Sequence, residues 1–434
     1  MVRGSAAGER AMSFTRRSIL AGGAAALVSA LPVRAERILP ASGPRVVVVG
    51  GGWGGLTAAK YIRLLDPGIE VVLIERRAAF HSCPISNWVI GHLRTVDEIT
   101  HSYVALSERH GIRILHTEVE AVDVDAKAVV TADGVVAGDR LILSPGVAFD
   151  YTGIDGWNEA AARRFPAAWS PGPETALLRA RLAELPSGGR VALTIPPSPY
   201  RCPPGPYERI SLIAAYLKQH KPGSTITVLD ANQKIVSKGK IFQAAWDELY
   251  PGIVDYRPDS PLVQVDASAG TVSSDFDDVA ADVANVIPSQ RASRLLHDAG
   301  LVPDGATWAP VDPYGFTSTL AADIHIVGDA TDQTTVGKVP KSGFIANSMG
   351  KVAARAAVAA LTGNEASPPS LINTCYSLVS PEEGASVGAV YGYDSETGLL
   401  QVRPGSSGVS SQRSATVALQ AWDWARAIWQ DMLG

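Results

Sequence analysis

The chain has 434 residues, more than one hydrophobic core usually organises, so two or three domains are expected. Hydrophobic residues make up 46% of the sequence and charged residues 19%, a balance typical of a packed α/β enzyme that excludes a disordered or fibrous protein. The formal net charge of −5 argues against nucleic acid or an anionic membrane surface as a partner.

The first 35 residues have the features of an export signal. A twin arginine, Arg16-Arg17, precedes a short apolar run, and the sequence before residue 36 suits cleavage. The apolar run is too short to span a bilayer. We therefore expect a twin-arginine signal at 1–35, a periplasmic location and no stable membrane insertion; a chance Arg-Arg is the alternative. The segment holds five arginines and one glutamate, so its removal moves the formal charge from −5 to −9.

The strongest motif is a glycine turn between a predicted strand and a predicted helix in residues 45–64. Gly50, Gly52 and Gly55 have the G-x-G-x-x-G spacing. One glycine makes the tight turn, one lets backbone approach a pyrophosphate, and one lets the helix pack on the strand. A second predicted strand ends at Glu75, where an acid would bind a ribose hydroxyl. These elements are in register, which favours a dinucleotide site over a glycine-rich turn in an ordinary α/β core.

A second unit of the same kind follows after several short strands. Those strands are predicted at 112–116, 117–124, 127–132 and 140–146. The second βαβ unit consists of a strand at 190–195, a helix at 207–219 and a strand at 225–230. Its first turn has prolines at 196, 197, 199, 203, 204 and 206. Because proline has no N–H to offer a phosphate, we predict a nicotinamide-type domain that has lost nucleotide binding.

The remaining sequence completes the predicted architecture. The strand at 284–288 is expected to return the chain to the first domain, and a helix is predicted from 342 to 361. The fold class is therefore α/β, with two Rossmann-like dinucleotide-binding domains and a C-terminal α+β segment ending in a tryptophan-rich helix. The predicted boundaries are 36–150 with 284–366 for the first domain, 151–283 for the second, and 367–434 for the C-terminal segment.

The cysteine count limits the sulfur chemistry. Cys83, Cys202 and Cys375 are separated by 119 and 173 residues. An oxidising compartment favours pairing, yet three thiols leave one that is free, intermolecular or modified. No C-x-x-C-H motif is present, so we expect no haem on this chain. The eight histidines are scattered, and no metal site is expected.

Several motifs together resemble the flavoprotein subunit of flavocytochrome c sulfide dehydrogenase. This group includes the related flavoprotein of sulfur-oxidation (Sox) systems and lies within the pyridine nucleotide-disulfide oxidoreductase superfamily. The motifs are at 50–75, 83–87, 200–209, 327–330, 340–344 and 373–378, and the resemblance covers nearly all of 45–434. It implies a glutathione-reductase-like fold with FAD in the first domain. It also implies oxidation of sulfide to sulfur or polysulfide, with electrons passed to a c-type cytochrome subunit in a heterodimer.

The resemblance implies roles for the cysteines and one acid. Cys202 and Cys375 match the family's redox-active disulfide, with Cys375 as the thiolate that faces the flavin. Cys83 matches the cysteine that carries FAD through a thioether, although Pro84 follows it where the family usually has a bulky residue. Glu208 matches a carboxylate proposed to accept or donate a proton. The alternatives are a structural disulfide, a buried free cysteine and a solvated glutamate.

The resemblance also implies contacts to the flavin. Asp329 matches the carboxylate that binds the ribityl chain, and Trp424 matches a tryptophan beside the flavin. Lys341 is expected at the cofactor, because the helix that begins at Lys341-Ser342 would direct the positive end of its dipole at the flavin ring. The alternatives are a helix-capping aspartate, a core helix and an ordinary helix start.

Three other functions fit parts of this pattern. A sulfide:quinone oxidoreductase uses the same disulfide chemistry, but it predicts a membrane-inserting C-terminus that the sequence lacks. A non-catalytic redox partner of a sulfur-oxidising complex predicts tight partner binding with negligible sulfide turnover. An NAD(P)H-linked reductase requires a phosphate-binding turn where this chain has prolines.

Overall fold

A computed structural model describes Leu39 and residues 43–434, so the predicted export signal lies outside the described residues. The strands in chain order are β1 (Arg45–Val49), β2 (Glu70–Ile74), β3 (Ala79–His81), β4 (Thr100–Ser102), β5 (Arg113–Leu115), β6 (Val119–Asp123), β7 (Ala128–Thr131), β8 (Gly134–Ala137), β9 (Arg140–Leu143), β10 (Val147–Asp150), β11 (Arg190–Ile195), β12 (Thr225–Asp230), β13 (Val254–Arg257), β14 (Gln264–Asp266), β15 (Thr271–Ser273), β16 (Asp278–Ala280), β17 (Val283–Val286), β18 (Ser289–Ala292), β19 (Val311–Asp312), β20 (Thr317–Ser318), β21 (Ile324–Ile326), β22 (Ser370–Leu378), β23 (Gly384–Asp394), β24 (Leu399–Val402) and β25 (Gly408–Val409).

The helices alternate with these strands. They are α1 (Trp53–Leu65), α2 (Ser86–Ile90), α3 (Val104–His110), α4 (Glu159–Arg164), α5 (Pro173–Glu184), α6 (Gly205–His220), α7 (Gly239–Leu249), α8 (Arg294–Asp298), α9 (Gln333–Val336), α10 (Gly343–Thr362) and α11 (Ala415–Leu433), with a short 3-10 helix at Asp97–Ile99. Among the described residues, no helix combines the length and the hydrophobicity that crossing a bilayer requires.

The first sheet is organised around β1. Its strand order is β19-β20-β21-β9-β1-β2-β5, and the strands from β21 to β5 run parallel. Every residue of β1 is buried, as expected for a central parallel strand covered on both faces. Helices α1 and α10 pack against each other beside this sheet. The predicted strand, glycine turn, helix and second strand are thereby confirmed.

The second sheet has the order β13-β12-β11-β17, with all strands parallel. It contains the predicted second unit, β11-α6-β12. The prediction that the strand at 284–288 returns the chain to the first domain was wrong, because β17 pairs with β11 inside the second sheet. The return is made next by β18, which pairs antiparallel with β10. A short buried apolar run looks the same in either sheet, so its pattern could not decide the partner.

The C-terminal segment is the predicted α+β unit. Strands β22, β23 and β24 form an antiparallel sheet with β25 beside β23, and α11 follows. The carboxylate of Asp431 on α11 accepts hydrogen bonds from Tyr61 (2.7 Å) and Asn347 (2.9 Å) and pairs with Lys351 at 2.9 Å. These bonds fasten the last helix to α1 and α10. The described residues fall in one contact unit, so the other predicted domain boundaries stay predictions.

Candidate functional site

One cavity brings most of the predicted site residues together. Its wall is formed by the glycine turn, the start of α10, the proline-rich turn before α6, and β22. The predicted site residues that line it are Gly52, Cys83, Cys202, Glu208, Asp329, Cys375 and Trp424. The fold therefore collects at one place the residues that the sequence motifs scatter along the chain.

The glycine turn has the geometry that its spacing predicts. Gly50 has a φ of +96°, and a Cβ there would lie 2.3 Å from the carbonyl oxygen of Ser144. A Cβ on Gly55 would lie 1.9 Å from the carbonyl oxygen of Gly50, so this glycine allows α1 to pack on the strand end. A Cβ on Gly52 would meet nothing within 4 Å. Gly52 thus leaves its backbone open toward the cavity.

Glu75 lies in a second cleft, which Gly50 at the start of the glycine turn also lines. Gly50 and Pro145 line that cleft, while their neighbours Gly52 and Gly146 line the first. The Glu75 carboxylate accepts hydrogen bonds from the backbone N–H of Gly51, at 2.6 Å, and from that of Arg77. A carboxylate has about four acceptor sites, so some remain for a ribose. The two clefts can hold the two ends of one long dinucleotide.

Asp329 follows β21, and its carboxylate is available to bind a ligand. No hydrogen bond from the described residues reaches its carboxylate, and burial raises its pKa against the opposing charges of Arg201 and Lys341. It is not a helix cap, because Asp332 caps α9 and Ser342 caps α10. An unpaired acid on a cavity wall suits a polyhydroxyl chain such as the ribityl group of FAD.

Trp424 provides an aromatic wall. It stacks on Trp53 with 6.0 Å between ring centroids and 11° between planes, and both side chains line the cavity. The indole N–H groups of both are buried without a protein partner. Most buried donors in proteins are paired, so these two N–H groups are available to donate to an acceptor on a bound molecule. Together with Asp329 and the open turn, they fit FAD.

Lys341 is placed differently from the prediction. Its ammonium donates to the carbonyls of Asp329 (2.8 Å) and Thr331 (2.7 Å), and burial lowers its pKa to about 8. The side chain therefore holds the loop that carries Asp329 and does not line the cavity. Ser342, Gly343 and Phe344, which begin α10, do line it, so the positive end of this helix faces the cavity.

Cys202 and Cys375 lie side by side. Both thiols line the cavity and each shifts the pKa of the other, and all three cysteines are free thiols in this structure. The backbone N–H of Cys202, which has a φ of +57°, donates to the carbonyl of Lys341 at 2.8 Å. The neighbouring thiol of Cys202 and the positive charge of Lys238 lower the pKa of Cys375 to about 7 against the effect of burial. The neighbouring thiol of Cys375, together with burial, raises the pKa of Cys202. Cys375 is therefore the better thiolate.

Glu208 is buried at the cavity wall, with 7% of its surface exposed, so the solvated alternative does not describe it. Its carboxylate accepts hydrogen bonds from Asn87 Nδ2 (2.9 Å), Trp88 Nε1 (3.1 Å) and the backbone N–H of Leu378 (2.8 Å). Burial raises the pKa of Glu208, and the three donors oppose that rise. Because Leu378 ends the strand that carries Cys375, Glu208 also joins α6 to the cysteine strand.

Sequence reasoning missed the residues that hold Glu208 in place. Arg209 is 1% exposed, and its Nε donates to Asn87 Oδ1 at 2.9 Å, which fixes the orientation of the Asn87 amide. Burial lowers the pKa of Arg209 to about 10. The signal was a Glu-Arg pair in an apolar stretch of α6, where charged residues need partners.

Lys238 was missed as well. This lysine, 7% exposed, follows β12 and directly precedes α7. Its ammonium donates to the carbonyl of Cys375 at 3.0 Å and to Ser377 Oγ at 2.8 Å. Nothing in the local sequence distinguishes Lys238 from an exposed loop lysine, because its partners lie more than a hundred residues away.

The second unit has no free acid for a nicotinamide ribose. Asp230 ends β12, at the position that Glu75 holds relative to β2, and it is fully buried. The hydroxyls of Tyr207 and Tyr256 each donate to Asp230 Oδ2 at 2.8 Å, and the backbone N–H of Asn232 donates to Oδ1. Asp230 is thus bonded by the protein's own side chains and backbone, and the loss of nucleotide binding stays a prediction.

Family models match three parts of the chain. Residues 44–167 match pyridine nucleotide-disulphide oxidoreductase, 175–288 match the central part of the sulfide dehydrogenase (flavocytochrome c) flavoprotein chain, and 367–433 match the flavin-binding part of flavocytochrome c sulphide dehydrogenase. The sulfide dehydrogenase (flavocytochrome c) flavoprotein chain of Chlorobaculum thiosulfatiphilum is 62% identical over 45 residues, which are 94% of that sequence and 10% of this chain. This chain belongs to the flavocytochrome c sulfide dehydrogenase flavoprotein family. It is a flavin-dependent oxidoreductase of the sulfide dehydrogenase type.

Other relatives share the architecture. The sulfide-quinone reductase of Aquifex aeolicus is 30% identical over 102 residues, 23% of this chain and 24% of that protein. The solved structure of the sulfide:quinone oxidoreductase from that bacterium superposes with a TM-score of 0.75 at 18% identity, covering 90% of this chain and 91% of the other. An NAD-dependent persulfide reductase from A. fulgidus gives a TM-score of 0.63 at 19% identity over 80% of this chain and 63% of the other. These likenesses establish a common fold for the family member described here.

Proposed function

We propose that this flavoprotein oxidises hydrosulfide to sulfur or polysulfide in the periplasm and passes the electrons to a c-type cytochrome subunit in a heterodimer. The observation that carries the proposal is the pairing of the Cys202 and Cys375 thiols in the cavity that the glycine turn forms. The sulfide dehydrogenase named for the Chlorobaculum relative supports the choice of substrate.

The sulfur chemistry begins with a Cys202–Cys375 disulfide. Hydrosulfide attacks Cys202 Sγ, a new S–S bond forms there, and the Cys202–Cys375 bond breaks with its electron pair passing to Cys375 Sγ. The products are a persulfide on Cys202 and a thiolate on Cys375. The latter is the sulfur whose pKa the charge of Lys238 lowers, so it is the better leaving group.

The FAD-binding residues are those that fit the cofactor: the backbone at Gly52, the carboxylates of Glu75 and Asp329, and the start of α10. A bound flavin supplies the ability to take an electron pair and release single electrons. Cys83 lies in the same cavity as the cysteine pair, which supports a covalent link to the flavin through its sulfur. Trp424 and Trp53 form a stacked aromatic wall on one side of the cavity.

The test is a comparison of electron acceptors with the purified flavin-containing protein. We expect sulfide-dependent reduction of cytochrome c and loss of that activity in Cys202→Ser and in Cys375→Ser. The matched control is Ser380→Ala, which changes an Oγ beyond β22 and leaves both thiols in place. Reduction of a soluble quinone alone would contradict the proposal and favour a sulfide:quinone oxidoreductase. Tight binding to a partner protein without sulfide turnover would favour the accessory role.

A further inference from the structure

The side chain of Lys238, a residue of the predicted second domain, reaches β22, the strand that contains Cys375. It adopts a left-handed backbone, with a φ of +57°, at the N-terminal boundary of α7. Both of its hydrogen-bond acceptors, the Cys375 carbonyl and Ser377 Oγ, belong to β22. The lysine therefore holds the segment around Cys375, while the carbonyl of Lys341 holds Cys202.

The ammonium of Lys238 has hydrogen-bond acceptors but no ion-pair partner among the described residues. Among the described residues, no carboxylate lies within ion-pair distance of Lys238, and both acceptors are neutral. An ammonium removed from water is costly unless an anion is nearby. The groups facing it that can become negative are Cys375, Glu208 and Cys202. Burial lowers the pKa of Lys238, and among these groups Cys375, whose strand holds the ammonium through two hydrogen bonds, opposes that shift most.

We propose that Lys238 is a positioning residue that stabilises the thiolate formed on Cys375, so that hydrosulfide is directed to Cys202. This inference rests on the proposed sulfide chemistry. When the disulfide opens, the electron pair goes to the sulfur whose thiolate is better stabilised, because a thiol of lower pKa leaves faster. With the ammonium beside β22, the leaving sulfur is Cys375, and the incoming sulfur remains as a persulfide on Cys202.

The first experiment measures thiol acidity without any turnover. The flavin-containing protein is reduced, alkylated with iodoacetamide at a series of pH values, and the Cys202 and Cys375 peptides are quantified by mass spectrometry. In the unmodified protein we expect Cys375 to react with a midpoint near pH 7, at lower pH than Cys202. In Lys238→Gln, which keeps a donor but removes the charge, the Cys375 midpoint should rise by about one pH unit, a tenfold loss of thiolate below it.

Two further variants separate charge from structure. Lys238→Arg keeps the charge and should restore the midpoint of the unmodified protein. Lys218→Gln removes an exposed lysine whose ammonium also bonds a main-chain carbonyl, that of Leu249, and should leave the midpoint unchanged. An unchanged Cys375 midpoint in folded Lys238→Gln would overturn the inference, because a purely structural lysine shifts stability and not thiol acidity.

A second experiment needs no variant and tests the assigned direction of attack even if Lys238→Gln does not fold. The oxidised, unmodified protein receives one equivalent of sulfide and is trapped at once with iodoacetamide. We expect the added sulfur on the Cys202 peptide; finding it on Cys375 would refute the assigned direction. If neither cysteine gains sulfur, the sulfide chemistry fails, while the alkylation midpoints still decide whether Lys238 controls Cys375.

Discussion

The substitution Glu208→Gln tests whether this acid holds the cysteine strand as well as facing the cavity. In the native structure, one carboxylate oxygen accepts from Trp88 and Leu378 and the other from Asn87. A glutamine side chain has a single oxygen, which is best placed where it accepts from Trp88 and Leu378. Its NH₂ group then faces the NH₂ group of Asn87 across 2.9 Å.

The expected cost follows from the fixed neighbour. Asn87 cannot rotate its amide to accept, because its oxygen already holds Arg209 Nε at 2.9 Å. One buried hydrogen bond is therefore lost and two donors oppose each other, so the free energy of unfolding should fall by about 1–3 kcal/mol. The loss is measured by urea unfolding at neutral pH. Glu248→Gln, which alters an exposed ion pair with Arg413, is the control and should change stability by less than about 0.5 kcal/mol.

Activity measurements extend the same test. If Glu208 only orients β22 through Leu378, the variant loses sulfide turnover without changing the shape of its pH profile. If Glu208 also transfers a proton, one limb of that profile disappears. A variant as stable as the unmodified protein would refute the reasoning, since it would mean that the native side chain is already a neutral acid and that the three N–H contacts do not require a carboxylate.

Three other outcomes follow from the structure. Cys83→Ser should release FAD into the supernatant on denaturation, whereas the unmodified protein should keep its flavin spectrum and mass; release from both would remove the covalent link. Burial lowers the pKa of His325 to about 4, so the unfolded chain binds its proton more readily below pH 6.5, and about 3 kcal/mol of stability should be lost between pH 6.5 and 4. His325→Gln should flatten that part of the profile in urea unfolding, and an unchanged slope would contradict this. Asp431→Asn should lower the unfolding free energy by about 1–3 kcal/mol because Lys351 and Tyr61 lose a charged partner, while the exposed Asp423→Asn should change it little; equal effects would argue against the clamp on α11.

The predictable parts of the fold are those that depend on residues close together in the sequence. The glycine turn, its flanking strands and the helix from Gly343 to Thr362, which ends at Gly363 with a φ of +75°, depend on neighbours a few residues apart. The effect of the prolines after β11 was equally predictable, since each proline lacks a backbone N–H whatever the rest of the chain does. Such features give the element type and its chemistry before any tertiary contact forms.

The parts that could not be predicted depend on contacts distant in sequence. The partner of β17 is chosen by the packing of two sheets, and its apolar residues suit either one. Glu208 lies in the first turn of α6, where a glutamate is ordinary, and only Asn87, Trp88 and Leu378 make it a buried group. Lys341 was expected at the cofactor, yet a cation–π contact with Trp308 at 3.6 Å and two carbonyls draw its side chain away.

The two βαβ units show how one framework serves two chemistries. In each, the turn after the first strand lies at the carboxyl end of a parallel sheet, the edge at which ligands bind in this architecture. The first turn presents glycine backbone, and its acid, Glu75, lies in an open cleft. The second presents Cys202 on a left-handed backbone, while Asp230 is enclosed by two tyrosine hydroxyls. Because the second turn has prolines in place of N–H donors and Asp230 is already bonded, what this turn presents to the cavity lined by the first is a sulfur atom. The position that presents glycine backbone in the first unit therefore presents a cysteine in the second.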